Sequence, residues 1–271
     1  MFGPIWDSRY IESIQINAFE RIGVEERAAY FDRSGIVRDM VQNHLMQLIC
    51  LLMMEAPVSL DPADIRVQKI SVLKSLNVTD VCRAQYRGYR DEKGVDSGST
   101  TETYAELRME VSNFRWAGTP IYIRTGKALS RKGTEIGIRL KRLPKILFNA
   151  DGEVPPNQII FKIQPAEGII LDLSSKVPGG GGVRLTGTNM VFCYRDTFSG
   201  EIPEAYQRLL LDALREDKTL FVSTEETELA WQKFGPLLDQ GELTYYDRGS
   251  IPPPCLYRDW IDFEKYGHVC S

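Results

Sequence analysis

Residues 30–54 read Tyr30-Phe-Asp-Arg-Ser-Gly-Ile-Val-Arg-Asp-Met-Val-Gln-Asn-His-Leu-Met-Gln-Leu-Ile-Cys-Leu-Leu-Met-Met54. From Ile36 to Met54 there is neither Pro nor Gly, and Met40, Val41, Leu45, Leu48, Ile49 and Leu52 recur at three- and four-residue spacing, the period of one long helix. The turn Asp32-Arg-Ser-Gly35 supplies its start. Cys50, Leu51 and Met53 make the second half apolar almost all round, which predicts a central helix packed on several sides. Asp39 and Asn43, four apart, share a face and His44 follows directly, so a carboxylate, an amide and an imidazole converge on the first turns. The residues alone leave two readings open. His44 is a hydrogen-bonded core histidine with Asp39 a favourable charge near the helix N-terminus, or the trio is reactive.

Upstream, Tyr10 to Phe19 alternates apolar and polar residues as a strand does. Glu20 ends it, and Gly23 to Ala29, with Glu25, Glu26 and Arg27, reads as a charged, solvated loop. Downstream, Glu55-Ala-Pro57 stops the helix, and Asp61-Pro-Ala-Asp64 offers an N-cap for a second one over Ile65 to Leu76. Val81 to Tyr89 is a loose strand, Asp91 to Thr101 an exposed loop, and Thr103 to Val111 is ambiguous between strand and helix. Pro120 to Arg124, Glu135 to Lys141, Gln158 to Gln164 and Ile169 to Leu173 are strands. The glycine run of Val177 to Val183 is a turn rather than a phosphate cradle, because no helix pattern or Lys-Ser/Thr follows it. Glu204 to Leu214 and Ser223 to Leu238 read as helices, the latter opened by a Ser-Thr-Glu-Glu cluster. Strands gathered with flanking helices predict an α+β fold with a large, mainly antiparallel sheet. The expected organisation is one domain over residues 1–240 and a partly disordered surface tail over 241–271.

At 271 residues, 43% hydrophobic and 26% charged, the chain has the composition of a soluble globular protein. A formal charge of -4 argues against nucleic acid as a partner, since backbone binding needs a clustered positive field. Cys50, Cys82, Cys193, Cys255 and Cys270 are odd in number and scattered, which suggests neither a disulfide framework nor a zinc site. A reducing cytoplasm fits. No basic-plus-apolar leader and no run long enough for a membrane span are visible, so the expectation is a soluble, untargeted, cytoplasmic protein.

Phe2-Gly-Pro-Ile-Trp6, Gly23-Val-Glu-Glu-Arg27, Tyr30-Phe-Asp32, Gly35-Ile-Val-Arg-Asp39 and Gln42-Asn-His44 resemble, in order and spacing, blocks of glucose-6-phosphate dehydrogenase. Phe114-Arg-Trp-Ala-Gly-Thr-Pro120, Arg124-Thr-Gly-Lys-Ala-Leu129, Ile163-Gln-Pro165, Ala205-Tyr-Gln-Arg-Leu-Leu-Leu-Asp212 and Asp217-Lys-Thr-Leu-Phe-Val222 continue the resemblance to about residue 240. It implies a C-terminal domain built on a big, mainly antiparallel sheet with helices on one face, and a sheet element at Thr103 to Val111.

For chemistry, the resemblance implies that His44 is the general base taking the C1 hydroxyl proton of glucose 6-phosphate as hydride leaves for NADP, yielding 6-phosphogluconolactone and NADPH in the pentose phosphate pathway. Imidazole suits the role because its free pKa near 6.5 lets it accept a proton at neutral pH. Asp39 and Glu20 become acceptors for sugar hydroxyls. Lys127 reaches the sugar from the far side, with Gly126 allowing close approach. Lys132 is a second basic residue, and Gln164 a substrate-side amide. No residue here is assigned to the coenzyme or to a metal.

The departures define the rest of the expectation. The family motif R-I-D-H-Y-L-G-K-E, which carries the aspartate partner of the base, is absent, as is any Gly-x-Gly-x-x-Gly turn for the coenzyme. Arg27-Ala-Ala-Tyr30 stands where the family has Arg-Gly-Gly-Tyr, and Gly249-Ser-Ile-Pro-Pro replaces Gly-Ser-Trp-Gly-Pro. The expectation is therefore the substrate-binding part of such an enzyme, inactive alone, forming homo-oligomers through its sheet or pairing with a complementary half. A non-catalytic assembly or regulatory partner of a full-length dehydrogenase is the alternative. A free-standing sugar-phosphate module is a third reading, disfavoured because half a pocket leaves charged groups desolvated and unpaired.

Overall fold

The computed structural model describes residues 2–142, 155–179, 184–198, 205–219, 221–235 and 242–270. Among them, nine strands form one sheet in the order β8-β7-β6-β5-β1-β4-β3-β2-β9. The strands are β1 (Ile11–Phe19), β2 (Leu76–Tyr86), β3 (Tyr104–Val111), β4 (Pro120–Gly126), β5 (Gly133–Leu140), β6 (Gln158–Gln164), β7 (Gly168–Lys176), β8 (Leu185–Cys193) and β9 (Leu243–Tyr246). Only β1 with β4 and β2 with β9 run parallel; the other pairs are antiparallel. The α+β expectation holds, and the ambiguous segment after Thr103 is strand β3. β8 and β9 were not foreseen.

The central strand β1 buries every residue except Glu12, which is half-buried, so both sheet faces are covered. Ile14 and Ile16 join the main core with the helices. On that face lie α1 (Ala28–Ile36), a π-helical stretch over Val37–Leu45, α2 (Met46–Met53), α3 (Pro62–Ser75) and α6 (Thr224–Phe234); the short α4 (Tyr194–Thr197) and α5 (Ala205–Leu214) follow β8. The single helix expected from Ile36 is thus wound in two ways, and Gly35, with φ of 71°, kinks the chain before it. α2 buries Met46, Ile49, Cys50 and Met53 but leaves Leu51 54% exposed, so it is packed on fewer sides than its composition predicts.

Two indoles close the C-terminal end of α2. Trp6 Nε1 donates to the Leu52 carbonyl and Trp116 Nε1 to that of Met53, each at 2.8 Å, satisfying carbonyls that a helix end leaves without partners. The sequence blocks around Phe2 and Phe114 therefore meet at one helix terminus. α6 begins with a capping box in which Ser223 and Glu226 exchange bonds. Glu226 also pairs with buried Lys69 of α3 at 2.5 Å, an ion pair that costs about 3–5 kcal/mol to break from one side. At α3 itself the expected Asp61 side-chain cap is not made; Ser59 Oγ bonds Asp64 at 2.6 Å instead.

The C-terminal segment corrects the expectation of a surface tail. Residues 251–270 strap the second face of the sheet. Glu106 accepts the N–H groups of Cys255, Leu256 and Tyr257, and Gln15 Oε1 accepts that of Ile261 at 2.7 Å. Arg139 pairs with Asp259, and the Arg124 guanidinium lies 3.9 Å from the Trp260 ring centroid. Ile261 and Phe263 sit so close over Gly137 that a Cβ there would meet Ile261 at 2.5 Å. Buried polar residues on this face need such partners, and backbone supplies most of them, which no hydrophobic period records. The cysteine expectation is corrected too. Cys82 is bonded to Cys255 and Cys193 to Cys270, with Cα atoms 6.6 and 5.2 Å apart, and only Cys50 is free. The pairs span separations of 173 and 77 residues, so no local motif marks them.

Candidate active site

The parallel pairing of β1 with β4 sets Phe19 opposite Gly126, and the antiparallel pairing with β5 sets Phe19 opposite Gly133. Thr134 in turn faces Gln164 of β6. Glu20, Lys127, Lys132 and Gln164 consequently emerge at one end of the sheet. Glu20 and the Lys127 turn are laced together by backbone: Glu20 N–H donates to Gly126 O, and Leu129 N–H to Glu20 O, both at 2.9 Å. Between these bonds Ala128 sits at φ of 53°, a strained conformation for a residue with a Cβ. Gly126 is needed for packing, since a Cβ would lie 2.7 Å from the Tyr104 ring.

The buried Lys127 ammonium bonds Glu20 Oε2 and lies 3.6 Å from Asp39 Oδ2. Its Nζ stands 5.2 Å from the Phe31 ring centroid. Asp39 is held from its other side by Arg27 at 3.1 Å, whose guanidinium stacks 5.2 Å over Tyr30. Three of the six residues picked from sequence, Glu20, Asp39 and Lys127, thus form one cluster. Arg27 and Phe31 were missed as part of it: Arg27 had been read as a solvated charge, and nothing in a twelve-residue gap to Asp39 signals the contact. Lys132 and Gln164 are exposed; Gln164 Nε2 donates to Thr134 Oγ1 at 2.9 Å, and neither bonds to the cluster in the structure.

His44 is exposed, five residues after Asp39 on the π-helical stretch. In an α-helix residues four apart stack along a face; i→i+5 bonding winds more residues into each turn, so Asp39 and His44 lie nearer in angle than α-helical winding would set them. Asn43, expected beside them, instead donates its Nδ2 to the Arg38 carbonyl at 3.1 Å. The alanines at positions 28 and 29 lie in α1, Ala28 at φ of -52°, so no left-handed backbone is required where the family pattern has glycines.

Two carboxylates behind the cluster fix its supports. Asp32 accepts from Tyr89 Oη at 2.9 Å, Ser99 Oγ at 2.5 Å and Asp96 N–H at 3.1 Å. Burial alone would raise its carboxyl, but these bonds hold it below the usual range. Glu102 is buried beside Gly35, and burial pushes its carboxyl up. Among the described residues, no helix is long and apolar enough to cross a membrane, and no group of three His, Cys, Asp or Glu side chains is placed to hold a metal ion.

A sequence model of the glucose-6-phosphate dehydrogenase C-terminal domain matches residues 1–261. The chain belongs to that family. It is 40% identical over 263 residues to glucose-6-phosphate 1-dehydrogenase of Rhizobium meliloti, covering 90% of this chain and 53% of the relative. With the chloroplastic enzyme of Spinacia oleracea it is 40% identical over 259 residues, 89% of this chain and 45% of that one. Among solved structures, a glucose-6-phosphate dehydrogenase in complex with its substrate glucose 6-phosphate superposes with a TM-score of 0.85 at 35% identity, covering 92% of this chain and 55% of that one. The Mycobacterium avium glucose-6-phosphate 1-dehydrogenase gives 0.81 at 37%, covering 91% and 54%. The chain spans about half the length of the curated relatives it matches. The family's C-terminal domain is therefore the frame for the Glu20, Asp39 and Lys127 cluster.

Proposed function

We propose that this chain is the substrate-side part of a glucose-6-phosphate dehydrogenase, binding glucose 6-phosphate at the sheet end and presenting its C1 hydroxyl to His44. The observation that carries the reading is the convergence of Glu20, Asp39 and the buried Lys127 ammonium beside the helix that bears His44. A sugar places vicinal hydroxyls among such groups: Glu20 and Asp39 accept from them, and Lys127 donates. Arg27 keeps Asp39 turned toward Lys127 from outside, and Phe31 closes the floor beneath the ammonium. The exposed imidazole of His44 takes the hydroxyl proton. Lys132 and Gln164, at the rim of the same sheet end, close on substrate.

NADP, when bound, supplies the hydride acceptor. α1 follows a 3-10 turn, α3 starts at Pro62 and α6 at Thr224, and none of these three starts is a Gly-rich strand-to-helix turn of the kind that seats a pyrophosphate. The reading gives the coenzyme to a region of the family's longer members that this chain does not match, and has this chain alone not turn over. The same reading has copies of the protein associating through the sheet, where the edge strand β8 leaves Met190 and Val191 exposed.

The test is a mixing assay: this chain with a separately expressed coenzyme domain from a close relative, glucose 6-phosphate and NADP, followed by NADPH absorbance, beside a His44→Ala control. Activity that requires both halves and vanishes with His44→Ala is the expected result. Steady turnover by the isolated chain overturns the division of labour; activity on mixing that survives His44→Ala overturns the assignment of the base.

A further inference from the structure

We propose that Glu102 is a positioning residue for the cluster of Glu20, Asp39 and Lys127, a proposal that rests on the cluster being the sugar site. Asp39 sits on the third residue of a helical stretch that begins at Val37, and that beginning has no local side-chain cap. The first N–H groups of a helix lack partners within it. Here they find them in one residue from across the fold: Ile36 N–H donates to the Glu102 carbonyl at 3.0 Å and Val37 N–H to Glu102 Oε1 at 3.3 Å. The carboxylate fills the space where Gly35 has no side chain, for a Cβ there would lie 2.3 Å from Glu102 Oε1. Glycine at Gly35 thus serves two needs, a φ of 71° and room for this carboxylate.

The next residue reaches the other half of the cluster. Thr103 O accepts the Lys127 N–H at 2.9 Å, and Thr103 N–H donates to Ala84 O at 2.9 Å. Tyr246 Oη locks the same junction, bonding Thr103 Oγ1 at 3.0 Å and Lys127 O at 2.7 Å. Residues 102 and 103 therefore join the helix that bears Asp39 to the turn that bears Lys127, and the Gly126 to Glu20 bond joins that turn to Glu20. The 3.6 Å between Lys127 and Asp39 is set by this short path of bonds. Loss of the Glu102 side-chain oxygen takes the partner of Val37 N–H and loosens the first turn of the helix, while the Ile36 bond to the Glu102 carbonyl and the Lys127 side stay in place, so the two halves of the cluster lose register.

The experiment uses the intact chain, labelled with 15N, with Glu102→Gln, which keeps an acceptor oxygen, and Glu102→Met, which fills a similar volume without one. Hydrogen exchange is read at Val37 and Asp39 against Ile14 and Ile16 of β1, which report opening of the whole fold. Glucose 6-phosphate is titrated while the amides of Glu20, Asp39 and Lys127 are followed. Glu102→Met is expected to speed exchange at the helix start about tenfold more than at β1 and to weaken the sugar titration about tenfold, with Glu102→Gln restoring most of both. Equal effects of Met and Gln, equal loss at β1 and the helix start, or no local loss with Met, each overturns the positioning role. Absence of any sugar-dependent shift in the unaltered chain overturns the sugar reading instead, and the exchange data still decide whether Glu102 holds the helix start.

Discussion

The strap over the second sheet face stands or falls with Glu106, whose side chain is wholly buried. Oε2 accepts from Cys255 N–H at 3.0 Å, and Oε1 from Leu256 N–H at 3.1 Å and Tyr257 N–H at 3.0 Å. In Glu106→Gln one oxygen still faces Leu256 and Tyr257, but the other becomes an amino group set against the Cys255 N–H, donor to donor. Bonds to a charged acceptor contribute about 1.5–3 kcal/mol and neutral ones about 0.5–1.5, while a buried group left without a partner costs about 1–3 kcal/mol. Weakening two bonds and orphaning a third therefore costs about 3–6 kcal/mol. Relief of the carboxylate's own desolvation returns part of that, leaving a net of about 2–3 kcal/mol, or roughly 30- to 150-fold in the ratio of closed to open strap. Hydrogen exchange without reductant, so that both cysteine pairs stay closed, measures it directly. Amides 255–261 are expected to lose about that much protection while Ile14 and Ile16 of β1 change far less. Unchanged protection in the strap would mean that Glu106 does not hold it; equal loss in strap and strand would mean that the strap is no separately docked element.

Two further predictions follow from buried groups. Burial pushes the Cys50 thiol up to about 12 and the other four cysteines are paired, so a thiol reagent at pH 8 finds nothing in the unreduced folded chain and one thiol after unfolding in denaturant; a titre near five refutes both pairs. Asp32 is held below its usual range despite burial, by the bonds from Ser99, Asp96 and Tyr89. A carboxyl depressed in the folded state adds stability above its unfolded pKa of about 3.9 and loses it as pH falls through the folded value. Asp32→Asn should therefore unfold at a lower temperature than the unaltered chain at pH 7, with the gap closing toward pH 2. A gap constant over that range would show that shape rather than charge ties Asp32 to the loop at Asp96 and Ser99.

What the sequence made legible divides along the kind of contact that fixes each element. β5 and β6 were found because Ile136, Ile138, Ile159 and Phe161 pack one face of a sheet and impose a two-residue alternation. β8 was missed because its residues from Thr186 to Val191 are exposed; with no face to bury, it carries no period. The strap was missed because it is bound through backbone N–H groups by Glu106 and Gln15 and by ion pairs to Arg139 and Asp172, and such contacts constrain single positions rather than a pattern. The meeting of Glu20, Asp39 and Lys127 was not legible as geometry. Glu20 and Lys127 are 107 residues apart, and it is the parallel registration of β1 on β4 that makes them neighbours.

The helix bearing Asp39 and His44 makes the same point within one element. Its apolar spacing of three and four predicts α-helical winding, under which two residues five apart point in clearly different directions. The π-helical winding over Val37–Leu45 brings them nearer in angle, and the change begins where Gly35 breaks the preceding helix and Glu102 accepts the Val37 N–H. Neither cause lies inside the stretch whose period was read. A π turn is also rarer and less stable than the α-helix it replaces, so it persists only because tertiary bonds at its start and the packing of Val37, Val41 and Leu45 in the core over-determine it. The winding of the stretch that carries Asp39 and His44 is thus tied to the contact between Gly35 and Glu102, 67 residues away along the chain, a cause that no local period records.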